Sequence, residues 1–544
     1  MKSLYILFRN LIFIPVGVLM ILSLSTCVKN EIDMSKISNA VDWNPKLGIP
    51  LAHGSLSLKD LIDAVDSAGL IKEYPDGLLY LTYRTRILSK TIDSVFTIPS
   101  QQYQEIFRGS DLPGFPGPDS LVYRRNSNYT FSFTKGEEID SVNFKSGALV
   151  FSVSSEFFHK GRITITMTSL TKNGRPLQFS MPINVGDGTF SDSIIYNLRG
   201  YKLTLNSGNQ MPFTYEVVFG DPGQPTLSTQ KMTVDVNVRQ PSFRSFFGYI
   251  ADYPVIDNFS GQMKIDVFDN VLSSDIQFAD PRFKVYYSNS FGIPIRIQLS
   301  NLRTSSNTRG LVNLILNPSV NPIDVAYPNI NQIGKWVYDS IQIDNSNSNL
   351  SAAFNIAPQL LNYSVNAVTN PTGKTFNFAL DTSRLDLDLA IELPIDIKAS
   401  NYQMSDTISF DLSGIVSDYS IVNKIAIYAT FNNAIPFDLS LQVFLADQNY
   451  TIVDSLFTTP QQPIIKSGEV NNNGKVVNPV SKITQVTFDG ARAKPLEKVK
   501  YAIVRGNITT AGNGKTYVKF YSSYILDVAL GVQVDLKIRS LDQL

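Results

Sequence analysis

The stretch Ile163-Thr164-Ile165-Thr166-Met167-Thr168 alternates apolar and polar side chains without a break. Successive side chains on a strand point to opposite faces, so this pattern predicts a strand with one buried and one wet face. Just beyond it, Asn173-Gly174 supplies the pair a tight primed turn needs, because both central positions take positive φ. The same grammar recurs along the chain. Leu385, Leu387 and Leu389 alternate with Asp386 and Asp388, while Val532, Val534, Leu536 and Ile538 alternate with Gln533, Asp535 and Lys537. Asn473-Gly474 and Asn513-Gly514 mark further hairpins. Short strands set off by Gly, Pro and Asn over hundreds of residues predict an all-β fold of tandem β-sandwiches, immunoglobulin-like or Greek-key in type.

A small N-terminal α+β segment precedes them. Ser57 with Asp60 reads as a capping box, and Leu58, Leu61, Ile62 and Val65 fall on one helical face before Gly69. Ser100 is placed to cap a second short helix carrying Tyr103, Ile106 and Phe107. Turn-rich breaks at Pro113-Gly114-Phe115-Pro116-Gly117-Pro118, Gln240-Pro241-Ser242 and Asn370-Pro371-Thr372-Gly373 divide the chain. The expected units are 27–118, with the two helices, and sandwiches over 119–240, 241–373 and 374–544, in line with roughly 150 residues per domain. Two strand pairs echo each other. Phe283 to Tyr287 and Ile425 to Phe431 each reach an Asn-containing corner, Asn289 to Pro294 and Asn432 to Pro436. Each is followed by a second alternating strand, Ile295-Ile297-Leu299 or Phe437-Leu439-Leu441. Asn tolerates the left-handed region and Pro withdraws a ladder donor, so each corner is expected either to bend the chain between sheets or to end a sheet edge.

The 544 residues hold 47 basic and 47 acidic side chains, two His and one Cys. Zero formal charge leaves no footprint for a phosphate backbone, so no nucleic-acid partner is expected. Lys2 and Arg9 precede the apolar run Leu11 to Leu24. That run is short for a bilayer span, which needs about 20 residues, and suits a signal peptide. It ends in Leu24-Ser25-Thr26-Cys27, which resembles a bacterial lipobox although Thr26 departs from the usual small residue. The resemblance implies a signal peptide over 1–26, recognised through Leu24, Ser25 and Thr26, and lipidation of Cys27. Several acyl chains on one terminus suffice for stable anchoring. Val28-Lys29-Asn30-Glu31-Ile32-Asp33 resembles a diluted form of the acidic stretch that sends lipoproteins of Bacteroidota to the outer face of the outer membrane.

Chemistry-bearing residues are sparse. His53 and His159 lack any nucleophile-elbow sequence and are expected at a turn or sheet edge. Lipidation would leave no free thiol, and two distant histidines make a poor metal site, so no metal, cofactor or catalytic residue is expected. Asp386 with Asp388, or Asp266 with Asp269, would serve a carboxylate-dependent hydrolase only if paired across a cleft. Asp344, Asn345 and Asn347 form the best oxygen-rich loop for calcium, without EF-hand spacing. Of 25 Tyr, Tyr286 and Tyr287 put one ring on each face of a strand, and Trp is confined to Trp43 and Trp336.

An ordered series of residues adds a resemblance. Trp43-Asn44-Pro45 and Gly48-Ile49-Pro50-Leu51 are followed by Phe246-Phe247-Gly248-Tyr249, Ile265-Asp266-Val267-Phe268-Asp269-Asn270, Phe278-Ala279-Asp280-Pro281 and the Asn289 to Pro294 corner. The series, between Trp43 and Thr382, resembles uncharacterised outer-membrane lipoproteins of Bacteroidota. It implies an all-β envelope lipoprotein and carries over no catalytic residue. The expectation is therefore a non-enzymatic lipoprotein, held in the outer membrane by its N-terminal lipid and facing the cell exterior. It would bind or scaffold an outer-membrane β-barrel or other envelope protein. The alternatives are a glycan-binding accessory of a nutrient-uptake system, a carboxylate-dependent hydrolase and a carrier with a long apolar cavity.

Overall fold

A computed structural model of the chain describes residue 44 and residues 46–537, apart from 66–68, 113–119, 186–187, 221–225, 269–274, 410–421, 494 and 496–497. The lipobox residues Leu24 to Cys27, Trp43, the Pro113 to Pro118 turn, Asp269 and Asn270 lie outside the described residues. The protein is all-β, with 63% strand and 6% helix, and its strand pairings are antiparallel.

Three long strands come first among the described residues, β1 (Lys46–Ser57), β2 (Leu79–Thr91) and β3 (Gln101–Arg108), with the short strand Ile71–Glu73 paired to the start of β2. A first run follows with β4 (Leu121–Thr130), β5 (Glu138–Ser155), β6 (Gly161–Lys172), β7 (Arg175–Ile183), β8 (Phe190–Asn197), β9 (Gln210–Phe219) and β10 (Lys231–Tyr249). The second run is β11 (Pro254–Lys264), β12 (Arg282–Asn289), β13 (Ile295–Ser306), β14 (Gly310–Asn313), β15 (Val337–Ile343), β16 (Leu360–Thr369) and β17 (Arg384–Pro394). The third is β18 (Tyr402–Ser409), β19 (Val422–Asn433), β20 (Phe437–Ala446), β21 (Ile452–Ser455), β22 (Val480–Asp489), β23 (Tyr501–Thr510) and β24 (Ile525–Leu536).

The pairing scheme repeats three times. In the first sandwich the two layers are β3-β10-β5-β8 and β4-β9-β6-β7, joined into one continuous sheet by the short strand Lys202–Thr204, which pairs with both β5 and β6. In the second they are β2-β17-β12-β15 and β11-β16-β13-β14. In the third they are β1-β24-β19-β22 and β18-β23-β20-β21. Eight strands in this order form two Greek keys, the jelly-roll arrangement. The sandwiches are nested as well as consecutive. Each takes its first strand from the N-terminal segment in reverse order, so β3 completes the first sandwich, β2 the second and β1 the third. The first sandwich is thus inserted between the first two strands of the second, and both lie inside the third.

This arrangement corrects several expectations. The N-terminal segment makes no unit of its own, because its strands enter three sandwiches. Helix α1 (Leu58–Val65) forms as expected: the Asp60 amide donates to Ser57 Oγ at 3.0 Å and the Ser57 amide to Asp60 Oδ2 at 3.1 Å. The second helix is instead β3. Its inward positions are Gln101, Tyr103, Glu105 and Phe107, and the inward carboxylate interrupts the apolar alternation, leaving a spacing that mimics a helix. The break at Gln240 is a bulge inside β10, where the register shifts between Arg239 and Ser242 and Gln240 has φ 45°. Asn370 to Gly373 is a turn within the second sandwich. The sandwiches actually meet near residues 250–253 and 395–401. Pro241 and Pro371 mark irregular backbone, which bulges and turns share with linkers.

The core follows the alternation. Ile163, Ile165 and Met167 are buried, as are Leu385, Leu387 and Leu389, while Thr164, Thr166 and Asp386 are half-exposed. Aromatic contacts close the first sandwich, with Phe151 of β5 on Phe179 of β7 at 4.6 Å between ring centroids. Residues Asn377–Leu380 pair with the end of β10 and join the first two sandwiches, bonded to Gly292 in the corner of the second. The strand Asp396–Ser400 pairs with Asp275–Phe278 and Val518–Lys519 and joins the second to the third.

The two echoed corners do switch sheets. Asn289 Oδ1 accepts from the Phe291 amide at 2.9 Å, and Asn433 Oδ1 from the Ile435 amide at 2.9 Å. The nested symmetry exposes a third copy at Ser155, whose hydroxyl accepts from the Phe157 amide at 3.2 Å. Phe157, Phe291 and Ile435 are each fully buried, so every corner is a polar residue pinning the backbone two residues ahead while an apolar side chain plugs the sandwich.

Candidate functional site

The histidines do not converge. His53 is exposed on edge strand β1 of the third sandwich, and His159 is buried against Phe219 in the first. The oxygen-rich loop spends its groups internally. Asp344 accepts from the Ser346 amide and hydroxyl and from Gln342, while Asn345 and Asn347 tie the loop to Ala279, Ser351 and Gln342. Among the described residues no cluster of three or more His, Cys, Asp or Glu is placed to hold a metal ion. Asp266 pairs with Lys264 at 2.8 Å.

Asp386 and Asp388 share the outer face of the β2-β17-β12-β15 sheet, as period-two geometry requires. A bulge in β2 brings two arginines to Asp388: Arg84 at 2.7 Å and Arg86 at 3.1 Å. Asp386 is paired with Arg384 at 3.1 Å. Beside them Glu392 is held by Lys284 at 2.7 Å and accepts from the Tyr286 hydroxyl at 3.1 Å. Arg84 lies over the Tyr286 ring at 4.5 Å, and Tyr74 stacks on Tyr80 at 4.2 Å. The acids are thus sheathed: the Asp388 side chain is 12% exposed and that of Arg86 59%. Burial pushes Tyr74 up to about 12, with Arg282 opposing and Glu392 reinforcing the shift. Burial and Glu392 raise Tyr80 and Tyr286 too, so these phenols stay protonated donors near neutral pH. At the far edge of the sheet, on and beside β15, Trp336 and Tyr338 stand exposed with stacked rings, centroids 6.3 Å apart. Of the Tyr286-Tyr287 pair, Tyr287 is core and Tyr286 belongs to this face.

The opposite outer face of the same sandwich is different in kind. One rung crosses all four strands with Gln262, Asn362, Arg303 and Asn313, and beside it Ser260 and Ser364 pair across β11 and β16 with Asn301 reaching them from a bulge in β13. They line an open groove of about 420 Å³ with Gly261 and Tyr363 and without a carboxylate. Gly261 is required there, since a Cβ would sit 2.5 Å from the Tyr363 hydroxyl.

Sequence reading did not find this groove, because amides on an outer strand face look like any solvated surface. It also missed Asp396, whose carboxyl is pushed up by burial against the opposing pull of Lys519 at 3.5 Å. Nor did it find Glu105, facing Arg125 across the first sandwich at 2.9 Å. There burial pushes the carboxyl up, and hydrogen bonds from Ser127, Tyr129 and Arg125 outweigh it, holding the group below its usual range.

No protein-family model matches the chain, and no curated protein does. Among solved structures it is similar to a protein of Parabacteroides distasonis ATCC 8503 whose name marks it provisionally as secreted. That match has 14% identity and a TM-score of 0.28, covering 54% of this chain and 89% of that one. It is also similar to a structure of infectious bursal disease virus, Gx strain (10% identity, TM-score 0.15, 78% and 73% covered). A third is a carbohydrate-binding module specific for non-crystalline cellulose (13% identity, TM-score 0.12, 32% and 78% covered). The jelly-roll assignment rests on strand order, and these likenesses say nothing of what this chain binds.

Proposed function

We propose that the protein is a non-enzymatic lipoprotein of the outer membrane, lipidated at Cys27 and facing the cell exterior, that serves as a binding or scaffold subunit for another envelope protein. The observation that carries the reading is the outer face of the β2-β17-β12-β15 sheet. Tyr and Arg are the residue types enriched where protein partners lose most binding energy on truncation. Here Tyr74, Tyr80, Tyr286, Arg84 and Arg86 lie together over Asp388 and Glu392. The ion pairs hold these side chains in place, which lowers the entropy cost of docking. The same pairs argue against a hydrolase, since a general acid needs a carboxyl freed from cations and raised. Asp396 is a carboxyl raised by burial, and Lys519 stands beside it at 3.5 Å.

The test is a photo-crosslinking residue placed at Tyr338 or Arg86 in the native host, with a matched site at Thr164 on the first sandwich. The reading predicts one dominant envelope-protein adduct from the second-sandwich sites and none from Thr164. Equal, diffuse labelling from all sites would overturn it.

A further inference from the structure

The three sandwiches are copies of one arrangement, so equivalent faces can be compared within one molecule. In the first sandwich, the outer face of β4-β9-β6-β7 spends its polar groups on itself. Arg124 pairs with Glu216 at 2.7 Å, Thr214 donates to Asn126 at 3.0 Å, Thr164 bonds Ser180 at 2.8 Å and Gln178 donates to Thr166 at 3.0 Å. In the second sandwich the equivalent face is the amide-lined groove. Ser260 bonds Ser364 at 2.8 Å and Asn301 donates to Ser364 at 3.2 Å, which closes one rung. In the other, Asn362 makes one long bond to the Arg303 carbonyl at 3.4 Å. Among the described residues no carboxylate pairs with Arg303, and none lines the groove. Further along β13, Arg296 by contrast is matched to Asp324 at 2.6 Å. A bulge between Ser300 and Arg303, with Asn301 at φ 51°, sets this corner of the sheet out of register.

From this contrast we infer that the groove binds an acidic saccharide, a uronic-acid-containing oligosaccharide, with Gln262, Asn362 and Asn313 on its hydroxyls and Arg303 on its carboxylate. Each amide offers a donor and an acceptor, matching a hydroxyl, which is both. A guanidinium forks onto a carboxylate with two parallel bonds. One cation among neutral groups suits one uronate carboxylate at a time, with any others left in solvent, and not the closely spaced phosphates of a nucleic acid. The groove runs from β11 to β14 across the strands of the sheet, so an extended peptide lying in it would cross the strands instead of pairing along one of them. Its volume falls in the range of about 300–1,000 Å³ usual for small-ligand sites. Strands hold the lining, so little order is lost on binding. The inference does not depend on the protein-binding face, which lies on the other sheet of the same sandwich.

The experiment is calorimetric titration of the mature protein with a trigalacturonate at low salt, beside a neutral trisaccharide of glucose and an acidic peptide of equal charge. Trigalacturonate is expected to bind, with the neutral sugar at least tenfold weaker and the peptide weaker still. Arg303→Gln should lose at least tenfold toward trigalacturonate and leave the neutral sugar unchanged. Gln262→Ala and Asn313→Ala should each weaken both sugars several-fold. All three positions are exposed, so unchanged thermal melts certify the fold, and Arg124→Gln on the first sandwich should change nothing. No binding of trigalacturonate at millimolar concentration, equal binding of the neutral sugar or peptide, or an Arg303→Gln variant as tight as the parent would each overturn the inference.

Discussion

Truncating Asn433 to Ala tests the corner logic at its strongest copy. The amide is fully buried, donates to the carbonyls of Ile435 at 2.9 Å, Lys466 at 2.9 Å and Phe437 at 3.3 Å, and accepts from the Ile435 amide at 2.9 Å. Removing it strands the Ile435 N–H and the Lys466 carbonyl, each costing about 1–3 kcal/mol when left unpaired, whereas the Ile435 carbonyl keeps the Phe437 and Gly468 amides. The Phe437 contact is long, and the cavity admits some relaxation, so the net cost should be about 4 kcal/mol. Asn289→Ala loses the Phe291 and Ala326 bonds and should cost about 2–3 kcal/mol, while Ser155→Ala loses one bond and should cost about 1 kcal/mol. Asn433→Ser keeps the acceptor that Ser155 uses in its own corner and should fall between. A three-sandwich chain need not unfold in one step, so a single melting point would blur the result. Peptide-resolved hydrogen exchange over residues 422–446 reads the corner directly. A loss of about 4 kcal/mol raises local opening by nearly three orders of magnitude. An Asn433→Ala cost below 1 kcal/mol, or Ser155→Ala costing most, would refute the equivalence of the corners.

Three further outcomes are expected. Glu105 has a lowered folded pKa, so the stability it contributes is complete above its unfolded value, near 4.5, and is lost as pH falls through the folded value; Glu105→Gln should flatten the acid side of the first sandwich's stability profile, measured by hydrogen exchange over 101–130. Deleting residues 46–57 removes β1 and bares the edge of β24, so exchange protection should collapse in 525–536 and persist in 138–155; equal loss in both would contradict the nested pairing. In Gly292→Ala the new Cβ would sit 2.2 Å from the Phe378 ring, and overpacking of about 1–3 kcal/mol should loosen the junction of the first two sandwiches, seen as faster exchange over 377–380.

Much of the fold was legible because it was local. Ile163 to Thr168 and Leu385 to Leu389 declared their buried faces through a period of two, and Ser57 with Asp60 declared a helix start. The Asn289 and Asn433 corners were readable because Asn and Pro have few other reasons to recur together. The third corner escaped notice since Ser155 does the same work with a hydroxyl and no proline follows. Nesting was not legible, because nothing in β1, β2 or β3 names a partner hundreds of residues away. β3 resembled a helix in sequence because the inward Glu105 breaks its apolar alternation. The candidate site was legible only as residue types. Asp386 and Asp388 were rightly set on one strand face, but the arginines that sheath Asp388 come from β2. The amide groove takes one rung from four strands, so its residues are neighbours only once the sheet exists.

The most direct test of the binding-subunit account is recovery of the tagged, natively expressed protein from gently solubilised membranes, with its companions identified and counted by mass spectrometry. The account predicts one envelope protein in fixed proportion, lost when Arg84 and Arg86 are both changed to Glu in a chain that still folds. Recovery of the protein alone, or a companion retained by that double variant, would contradict it.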